Sequence, residues 1–328
     1  METRILGRTG RPVSVIGLGT WQLGADWGDV HEDDALGVLQ AAYDEGVRFF
    51  DAADAYGDGR SEELIGRFLA EGGHTDVLVG TKAGRRVMPQ TADIYTLDNL
   101  RAWTDRSREK LGVDTLDLVQ LHCPPTSVYS DGATYEALDT LVDEGRVANY
   151  GFSVETRAEA LTAVARPGVA SIQLVFNMFR MGPIAEVLPA AREAGVGIIA
   201  RVPLASGLLS GKYDENTQFA ANDHRTFNRD GSAFDIGETF AGVDFETGLQ
   251  AVRRIAPLVP ADATMAQFAL RWIIDQPSVT TVIPGARNTE QARANAAAAG
   301  LSPIDADAQA AIADVYDELI APQIGDRW

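Results

Sequence analysis

Cysteine is nearly absent from this sequence. Cys123 is the only one among 328 residues, so an internal disulfide is impossible and a zinc or iron–sulfur site built on cysteines is excluded. No HExxH motif occurs and the four histidines lie far apart in the sequence, so no metal site is predicted. Cys123 itself is expected to be a packed thiol, because the sequence supplies no separate base that would activate it.

Positive charge is also scarce. The chain has 28 Lys and Arg against 47 Asp and Glu, a net charge of −19 at pH 7. Nucleic acids and anionic membrane surfaces both select proteins with a basic face. A nucleic-acid partner and docking on a membrane are therefore disfavoured, and the acidity by itself indicates solubility rather than a function.

Long apolar stretches are missing as well. No uninterrupted apolar run approaches the roughly 18 residues of a membrane span, and the nearest one, Val196–Leu209, is broken by Arg201 and Pro203. The first residues, Met1–Arg4, lead into no apolar segment of the kind that a secretory signal has. We therefore expect a cytoplasmic protein without a membrane partner.

Short apolar runs alternate with amphipathic helical patterns along most of the chain. The runs are continuous, as is typical of strands covered on both faces in a parallel sheet. They span Val13–Gly19, Val47–Asp51, Val77–Lys82, Leu116–His122, Val147–Ser153, Ile172–Asn177, Gly197–Val202 and Val279–Pro284. Eight strands separated by helices predict an α/β fold, a (β/α)8 TIM barrel forming a single domain over residues 1–328.

Three segments lie outside the regular repeat. The first predicts an N-terminal β-hairpin of Arg4–Gly7 and Val13–Ile16, which could plug the barrel floor. The second, Ser206–Thr247, is a long loop after strand seven. Because barrel active sites lie on the face that this loop leaves, we expect a lid, the alternative being a tolerated surface excursion. The third is a helix over Asp305–Leu319.

Two glycine-rich motifs fail on inspection. Gly17-Leu-Gly19 begins like a dinucleotide-binding fingerprint, but Gln22 stands where the third glycine should be. Gly207–Lys212 is one residue short of a phosphate-binding P-loop, and the required Ser or Thr after the lysine is replaced by Tyr213. A Rossmann or P-loop mechanism is therefore unsupported.

Polar residues end three successive predicted strands, and these remain unexplained by packing. Asp51, Lys82 and His122 would converge at the mouth of the barrel, with Tyr56 reaching in from a loop. Each alone has an ordinary explanation, but buried ionisable groups are costly unless they are paired. An Asp–Lys pair can hold an ammonium against a tyrosine hydroxyl and lower a pKa that is normally near 10. A neutral His can orient a substrate oxygen, so the set predicts a proton donor to a developing alkoxide.

A series of short motifs around these residues resembles one enzyme family. In chain order they are Gly19–Trp21, Asp51–Glu62, Thr81–Lys82, Leu121–Pro125, Gly151–Ser153, Gln173–Asn177, Pro203–Lys212, and Ile283–Arg287 followed by Asn295. Together they resemble the aldo-keto reductase superfamily over nearly the whole chain. The resemblance implies a catalytic tetrad of Asp51, Tyr56, Lys82 and His122, with Tyr56 as general acid. It also implies hydride transfer from a nicotinamide to a carbonyl carbon.

The resemblance further implies NADP(H) as cofactor. The expected contacts are Gly19, Thr20, Asp51, Ser153, Gln173, Arg201, Leu204, Ser206, Gly207, Lys212, Gly285, Arg287, Gln291 and Asn295. Ser153 and Gln173 would hold the nicotinamide amide, and the stretch 204–212 the pyrophosphate. Arg287 would face the adenosine 2′-phosphate, the alternative being an exposed arginine at a helix start, and the last two residues would meet the adenine.

Two positions depart from the family pattern. Val154 follows Ser153 where many relatives carry an asparagine, and Arg201 stands where relatives commonly place an aromatic ring on the nicotinamide. A guanidinium can also stack on a ring, so Arg201 is expected at the cofactor, the alternative being a salt-bridged strand-end residue. Trp21 is expected to wall the substrate pocket. Further aromatic candidates for that wall are Trp27, Tyr129 and Trp328.

The sequence thus predicts an NADP(H)-dependent oxidoreductase. It would reduce small aldehydes and ketones to alcohols, or run the reverse reaction. Two alternatives stay open: a cofactor-binding regulatory subunit with little turnover, because the superfamily includes such subunits, and an NAD(H)-dependent sugar or alcohol dehydrogenase.

Overall fold

Two sheets organise the chain, and the computed structural model describes residues 1–24, 30–221, 223–233 and 235–325. The strands are β1 Thr3–Ile5, β2 Pro12–Ser14, β3 Leu18–Gly19, β4 Phe49–Asp51, β5 Leu78–Ala83, β6 Leu118–His122, β7 Tyr150–Ser153, β8 Val169–Val175, β9 Gly197–Arg201 and β10 Thr281–Val282. β1 and β2 pair antiparallel, whereas β3 to β10 are parallel neighbours in chain order. Backbone bonds from Gly17 to Val282 (2.8 Å) and from Gly19 to Pro284 (3.0 Å) join the first barrel strand to the last. The predicted (β/α)8 barrel is confirmed.

Helices connect the strands and cover the outside of the sheet. They are α1 Glu32–Asp44, α2 Arg60–Gly72, α3 Leu97–Leu111, α4 Gly132–Asp143, α5 Arg157–Val164, α6 Val187–Ala194, α7 His224–Phe227, α8 Phe245–Ile255, α9 Met265–Ile274, α10 Thr289–Ala297, α11 Ala306–Val315 and α12 Ala321–Ile324. α5 and α9 each begin at a reciprocal cap, Thr156 with Glu159 and Thr264 with Gln267, which satisfies amides at the helix start. No helix in the described ranges is long and apolar enough to span a membrane.

Several strand boundaries differ from the expectation. Val13–Gly19 is not one strand, because Pro12–Ser14 pairs with β1 and only the last two residues lie in the barrel sheet. β8 starts at Val169 and ends at Val175, before the predicted end at Asn177. The Asn177 side chain accepts a bond from the Phe179 amide at 2.7 Å and donates to a neighbouring loop carbonyl, which turns the chain out of the sheet.

The N-terminal hairpin plugs the barrel floor, as the sequence predicted. Leu6 and Val13 are fully buried and belong to a small apolar cluster inside the barrel. The other members come from five barrel segments and are Phe49, Leu78, Leu118, Ile199 and Ile283. Gly7 has a φ of +47°, and a Cβ there would collide with the backbone of Gly197. The hairpin therefore packs directly against the start of β9.

The chain between β9 and β10 carries more than one βα unit. α9 packs on the barrel, whereas α8 packs on α11 and the π-helical turn Tyr316–Ile320 that continues it. The predicted helix over Asp305–Leu319 is therefore present, with a change of helix type near its end. The 206–247 loop contains α7 and short 3₁₀ turns. Its role as a lid stays a prediction.

Replacing Leu6 with Ala is expected to lower the free energy of unfolding by about 2–5 kcal/mol, because it leaves a cavity in the packed floor. The matched control is Ile5→Ala, since the neighbouring Ile5 is 56% exposed and its truncation should change the free energy by less than about 0.5 kcal/mol. Urea denaturation measures both. Equal losses for the two variants would show that the floor cluster contributes no special stability.

Candidate active site

The four residues of the predicted tetrad meet at the carboxyl ends of neighbouring strands. Asp51 ends β4, Lys82 lies near the end of β5 and His122 ends β6, while Tyr56 lies in the loop after β4. Lys82 Nζ donates to Asp51 Oδ2 at 2.6 Å, to the Ala52 carbonyl at 2.9 Å and to the Tyr56 hydroxyl at 3.2 Å. Its side chain is only 1% exposed. The barrel thus holds an ammonium against a tyrosine hydroxyl inside a desolvated site.

Burial and charge set the protonation states of this cluster. Burial opposes the charge on Lys82, but Asp51 and Tyr56 outweigh it and raise the pKa of the ammonium. Burial also raises the pKa of Tyr56, and Lys82 opposes that rise without cancelling it. The expected lowering of the Tyr56 pKa is therefore wrong as a net result, because desolvation of a phenolate exceeds the attraction of one ammonium. Tyr56 is a protonated phenol at neutral pH.

His122 is a neutral imidazole. Burial lowers its pKa well below the usual range, and the cations Arg85, Lys82 and Arg201 lower it further. Its ring meets the Tyr56 ring edge-on at 6.0 Å. Nδ1 is buried and has no hydrogen-bond partner among the described residues. A neutral ring beside a phenol can donate an N–H to an uncharged oxygen without competing for its proton.

Trp21 forms one wall of the mouth. Its ring stacks on Tyr56 at 6.1 Å and lies 5.7 Å from the ring of His224, which belongs to the 206–247 loop. Tyr129 is only 1% exposed and its hydroxyl donates to the Ser153 carbonyl at 2.8 Å, so it packs behind the site instead of walling it. Trp27 and Trp328 lie outside the described residues.

A buried polar chain supports Asp51 from inside the barrel. Gln173 Nε2 donates to Asp51 Oδ1 at 2.7 Å and to Gln120 Oε1 at 2.9 Å, and Gln120 Nε2 reaches Ser171 Oγ at 3.1 Å. Thr20 is fully buried, and both its amide and its hydroxyl donate to the Asp51 carbonyl. Gln120 and Ser171 were not identified from the sequence. The available signal was alternation along the strands, because every second residue of a strand faces the same side. Gln120 is two residues before His122 on β6, and Ser171 is two residues before Gln173 on β8.

The predicted nicotinamide and pyrophosphate residues lie along the mouth, several of them already engaged. Ser153 is buried, and its hydroxyl oxygen accepts a weak bond from Cys123 Sγ at 3.4 Å. After β9, the half-buried Leu204 leads into a turn where Ser206 and Gly207 have φ of 54° and 97°. Ser206 Oγ donates to the carbonyl of Glu238 at 2.8 Å. A cofactor phosphate at this turn would compete with that bond.

The predicted adenosine residues gather where α10 begins. Asn295 Nδ2 donates to the Gly285 carbonyl at 3.1 Å, and Gln291 Oε1 accepts the Arg287 amide at 2.8 Å. Arg287 is exposed and lies near Tyr213, where burial raises the pKa of the phenol and the charges of Arg225 and Arg287 oppose that rise. The loops after β9 and β10 are therefore adjacent, and the exposed Lys212 lies on the first of them. The side-chain amides of Gln291 and Asn295, with the cations of Arg287 and Lys212 nearby, fit the adenosine end of a phosphorylated dinucleotide.

A second charged cluster beside the tetrad was missed. Arg201 is salt-bridged to Glu238 at 3.2 Å, as the alternative interpretation predicted, and Arg85 contacts the same carboxylate oxygen at 3.1 Å. Glu238 is 8% exposed and stays ionised, because the two arginines outweigh burial and lower its pKa. Only folding reveals this pairing, since a loop glutamate far along the chain carries no pattern that links it to strand ends.

Cys123, Glu155 and Glu238 place one potential ligand atom each within 4.8 Å of one another. The two guanidiniums already satisfy the Glu238 carboxylate. Burial raises the pKa of the Cys123 thiol to about 11 and that of Glu155 to about 7, so the thiol stays protonated at neutral pH. We interpret this group as part of the ion-pair cluster, because Arg85 and Arg201 already pair with Glu238 and their positive charges would repel a cation.

Comparison with known proteins identifies the family. The Aldo/keto reductase family profile matches residues 15–317. The chain is 30% identical over 344 residues to the aldo-keto reductase YhdN of Bacillus subtilis, covering 100% of this chain and 97% of that protein. It is 29% identical over 322 residues to a probable voltage-gated potassium channel subunit beta of Arabidopsis thaliana, covering 93% of each.

Solved structures share the fold. A glycerol dehydrogenase from Gluconobacter oxydans is 27% identical and superposes with a TM-score of 0.79, covering 98% of this chain and 95% of that one. An aldo-keto reductase from Bacillus halodurans in its holo form is 24% identical, with a TM-score of 0.77 and 96% of each chain covered. Profile, relatives and fold agree over nearly the whole length. The chain belongs to the aldo/keto reductase family of oxidoreductases.

Proposed function

We propose that this protein is an NADP(H)-dependent oxidoreductase that reduces aldehydes or ketones to alcohols, or runs the reverse reaction. The observation that carries the proposal is the Lys82 ammonium, which lies 3.2 Å from the Tyr56 hydroxyl and 2.6 Å from Asp51. This arrangement suits a phenol that must lose its proton in the reaction, because the phenolate forms next to a fixed positive charge.

Each residue has a separate task in this mechanism. A bound reduced nicotinamide supplies the hydride to the carbonyl carbon. Tyr56 donates its proton to the carbonyl oxygen as negative charge develops there, and Lys82 stabilises the phenolate that remains. Asp51 holds the ammonium in place. His122, neutral and close to the Tyr56 ring, orients the carbonyl by donating an N–H bond to its oxygen.

The preference for NADP(H) rests on the cations at the adenosine end. Arg287 and Lys212 are exposed, on adjacent loops, whereas the chain as a whole carries a net charge of −19. Long-range attraction cannot draw a polyanionic cofactor to such a surface, so local contacts must hold it. The Arg287 guanidinium would bind the 2′-phosphate, while Gln291 and Asn295 would lie at the adenine.

Tyr56→Phe is expected to lower kcat for aldehyde reduction by about 10²- to 10⁴-fold, because it removes the proton donor. NADPH binding, measured by fluorescence titration, should be retained. Tyr43→Phe is the matched control, since the Tyr43 hydroxyl bonds Asp76 on the outside of the barrel. Unchanged turnover in Tyr56→Phe would refute its role, and tight NADPH binding with no aldehyde turned over by the wild type would favour a regulatory subunit.

The pH profile of kcat/KM for reduction should be flat from about pH 6.5 to about pH 10. Reduction needs protonated Tyr56, whose raised pKa keeps the proton past the ordinary value of 10.0. It also needs neutral His122, whose lowered pKa keeps the ring uncharged below 6.5. Initial rates in buffers of constant ionic strength measure the profile. Loss of activity between pH 7 and 9 would mean that Tyr56 titrates there and that burial does not control its pKa.

Arg287→Ala should weaken NADPH binding by about tenfold or more, the equivalent of about 1.4 kcal/mol, and leave NADH binding unchanged. The matched control is Arg293→Ala, an exposed arginine of α10, the helix that follows Arg287, whose guanidinium lies 3.8 Å from Glu45. Equilibrium titration with both cofactors measures the effect. Equal affinities of the wild type for the two cofactors would favour the NAD(H)-dependent alternative.

A further inference from the structure

Two arginines at the barrel mouth converge on one carboxylate oxygen. Arg85, in the loop after β5, and Arg201, the last residue of β9, lie 3.1 Å and 3.2 Å from the same atom, Glu238 Oε1. The Arg85 side chain is 22% exposed and that of Arg201 is 11% exposed, so both pairs are largely shielded from water. The proposed reduction uses neither arginine, so their convergence calls for a separate explanation.

The cluster lies beside the place where the carbonyl would bind. Arg85 and Arg201 are near enough to His122 to lower its pKa, and Glu238 is near enough to Tyr56 to raise the pKa of its phenol. A substrate whose oxygen contacts Tyr56 and His122 would therefore direct one of its substituents towards these guanidiniums.

The two sides of this cluster have different mechanical support. Arg201 is carried by the barrel strand β9, and Arg85 lies two residues beyond the end of β5. Glu238 is carried by a 3₁₀ turn of the 206–247 loop, and that turn is fastened to the rest of the mouth at Ser206, whose hydroxyl donates to the Glu238 carbonyl at 2.8 Å and accepts the Phe240 amide at 3.0 Å. The two arginines thus lie on a barrel strand or within two residues of one, whereas the carboxylate that now pairs with them lies on the 206–247 loop.

Removing Glu238 would leave two neighbouring guanidiniums without their shared carboxylate. Arg201 Nε already has no hydrogen-bond partner among the described residues, although the atom is buried. A buried charge that loses its partner is strongly destabilising, so departure of the Glu238 carboxylate would favour another anion in its place. The planar fork of a guanidinium matches a carboxylate in particular.

We propose that Arg85 and Arg201 bind the carboxylate of an oxo-acid substrate, an aldehyde or ketone that carries its own carboxylate, and that Glu238 occupies this position until the substrate arrives. This inference rests on the proposed function, because it names the substrate class of the same site. It also assigns Glu238 as an internal competitor, so that neutralising Glu238 should favour the acidic substrate.

The test compares two aldehydes of matched size, 4-carboxybenzaldehyde and 4-carbamoylbenzaldehyde, in NADPH oxidation assays. We expect kcat/KM to be at least tenfold higher for the carboxylate in the wild type. Arg85→Gln should abolish this ratio, mainly through KM, whereas Arg86→Gln should preserve it, because the Arg86 side chain is 38% exposed and pairs with Asp58 outside the cluster. Glu238→Gln should increase the ratio.

The outcomes separate this inference from the proposed function. Reduction of both aldehydes with equal kcat/KM would overturn the inference and leave the function standing, and a lower ratio in Glu238→Gln would overturn the role of Glu238 as competitor. If neither aldehyde is reduced, the proposed function fails, and calorimetric titration with 4-carboxybenzaldehyde tests the inference alone. Weaker binding to Arg85→Gln, with unchanged binding to Arg86→Gln, would support the inference. Undetectable binding, or equal binding to both variants, would overturn it.

A second variant covers the case in which Arg85→Gln does not fold. Arg85→Lys keeps the positive charge and loses the planar fork of the guanidinium, so it should still reduce the ratio of the two kcat/KM values.

Discussion

The buried ion pair of Lys82 and Asp51 is the interaction on which the site depends. An ammonium that is 1% exposed is tolerable only with a close counter-charge and further acceptors, and removing one partner of such a pair typically costs 3–5 kcal/mol. Here Asp51 supplies the charge, and the Ala52 carbonyl and the Tyr56 hydroxyl accept the remaining bonds. Because the hydroxyl is one of the groups that satisfy the ammonium, the position of the proposed proton donor is tied to the stability of the pair.

The barrel makes this pair possible by stacking layers of different polarity. At the floor, Leu6 and Val13 of the hairpin close an apolar cluster. Above it, Gln120 and Gln173 form a hydrogen-bonded chain that ends on Asp51. A fully satisfied polar network inside a low-dielectric core restrains its members to one geometry. Asp51 is thereby held on both oxygens, one by Gln173 and one by the lysine.

The loop that follows β9 connects the proposed cofactor site to the charged cluster at the barrel mouth. The turn after β9 forces Val202, Ala205 and Ser206 to positive φ, a conformation that non-glycine residues adopt only when the surroundings impose it. Ser206 is bonded to the carbonyl of Glu238, the last residue of its 3₁₀ turn, and to the amide of Phe240 just beyond that turn. The proposed pyrophosphate loop and the carboxylate facing Arg85 are therefore mechanically linked, so that rearranging one would shift the other.

The sequence by itself determined the barrel, the floor hairpin and the convergence of Asp51, Lys82 and His122, because strand periodicity and strand-end position depend only on local order along the chain. The predicted limits of the strands were less accurate. The end of β8 was missed, for example, because Asn177 turns the chain through hydrogen bonds to residues outside that strand. The sign of the Tyr56 pKa shift was missed because it depends on how completely the fold removes water. The pairing of Arg85 and Arg201 with Glu238, and the chain from Gln120 to Asp51, were decided only by the tertiary structure. Their partners lie far apart in the sequence, and nothing but the closure of the barrel and the path of the 206–247 loop brings them within hydrogen-bond distance.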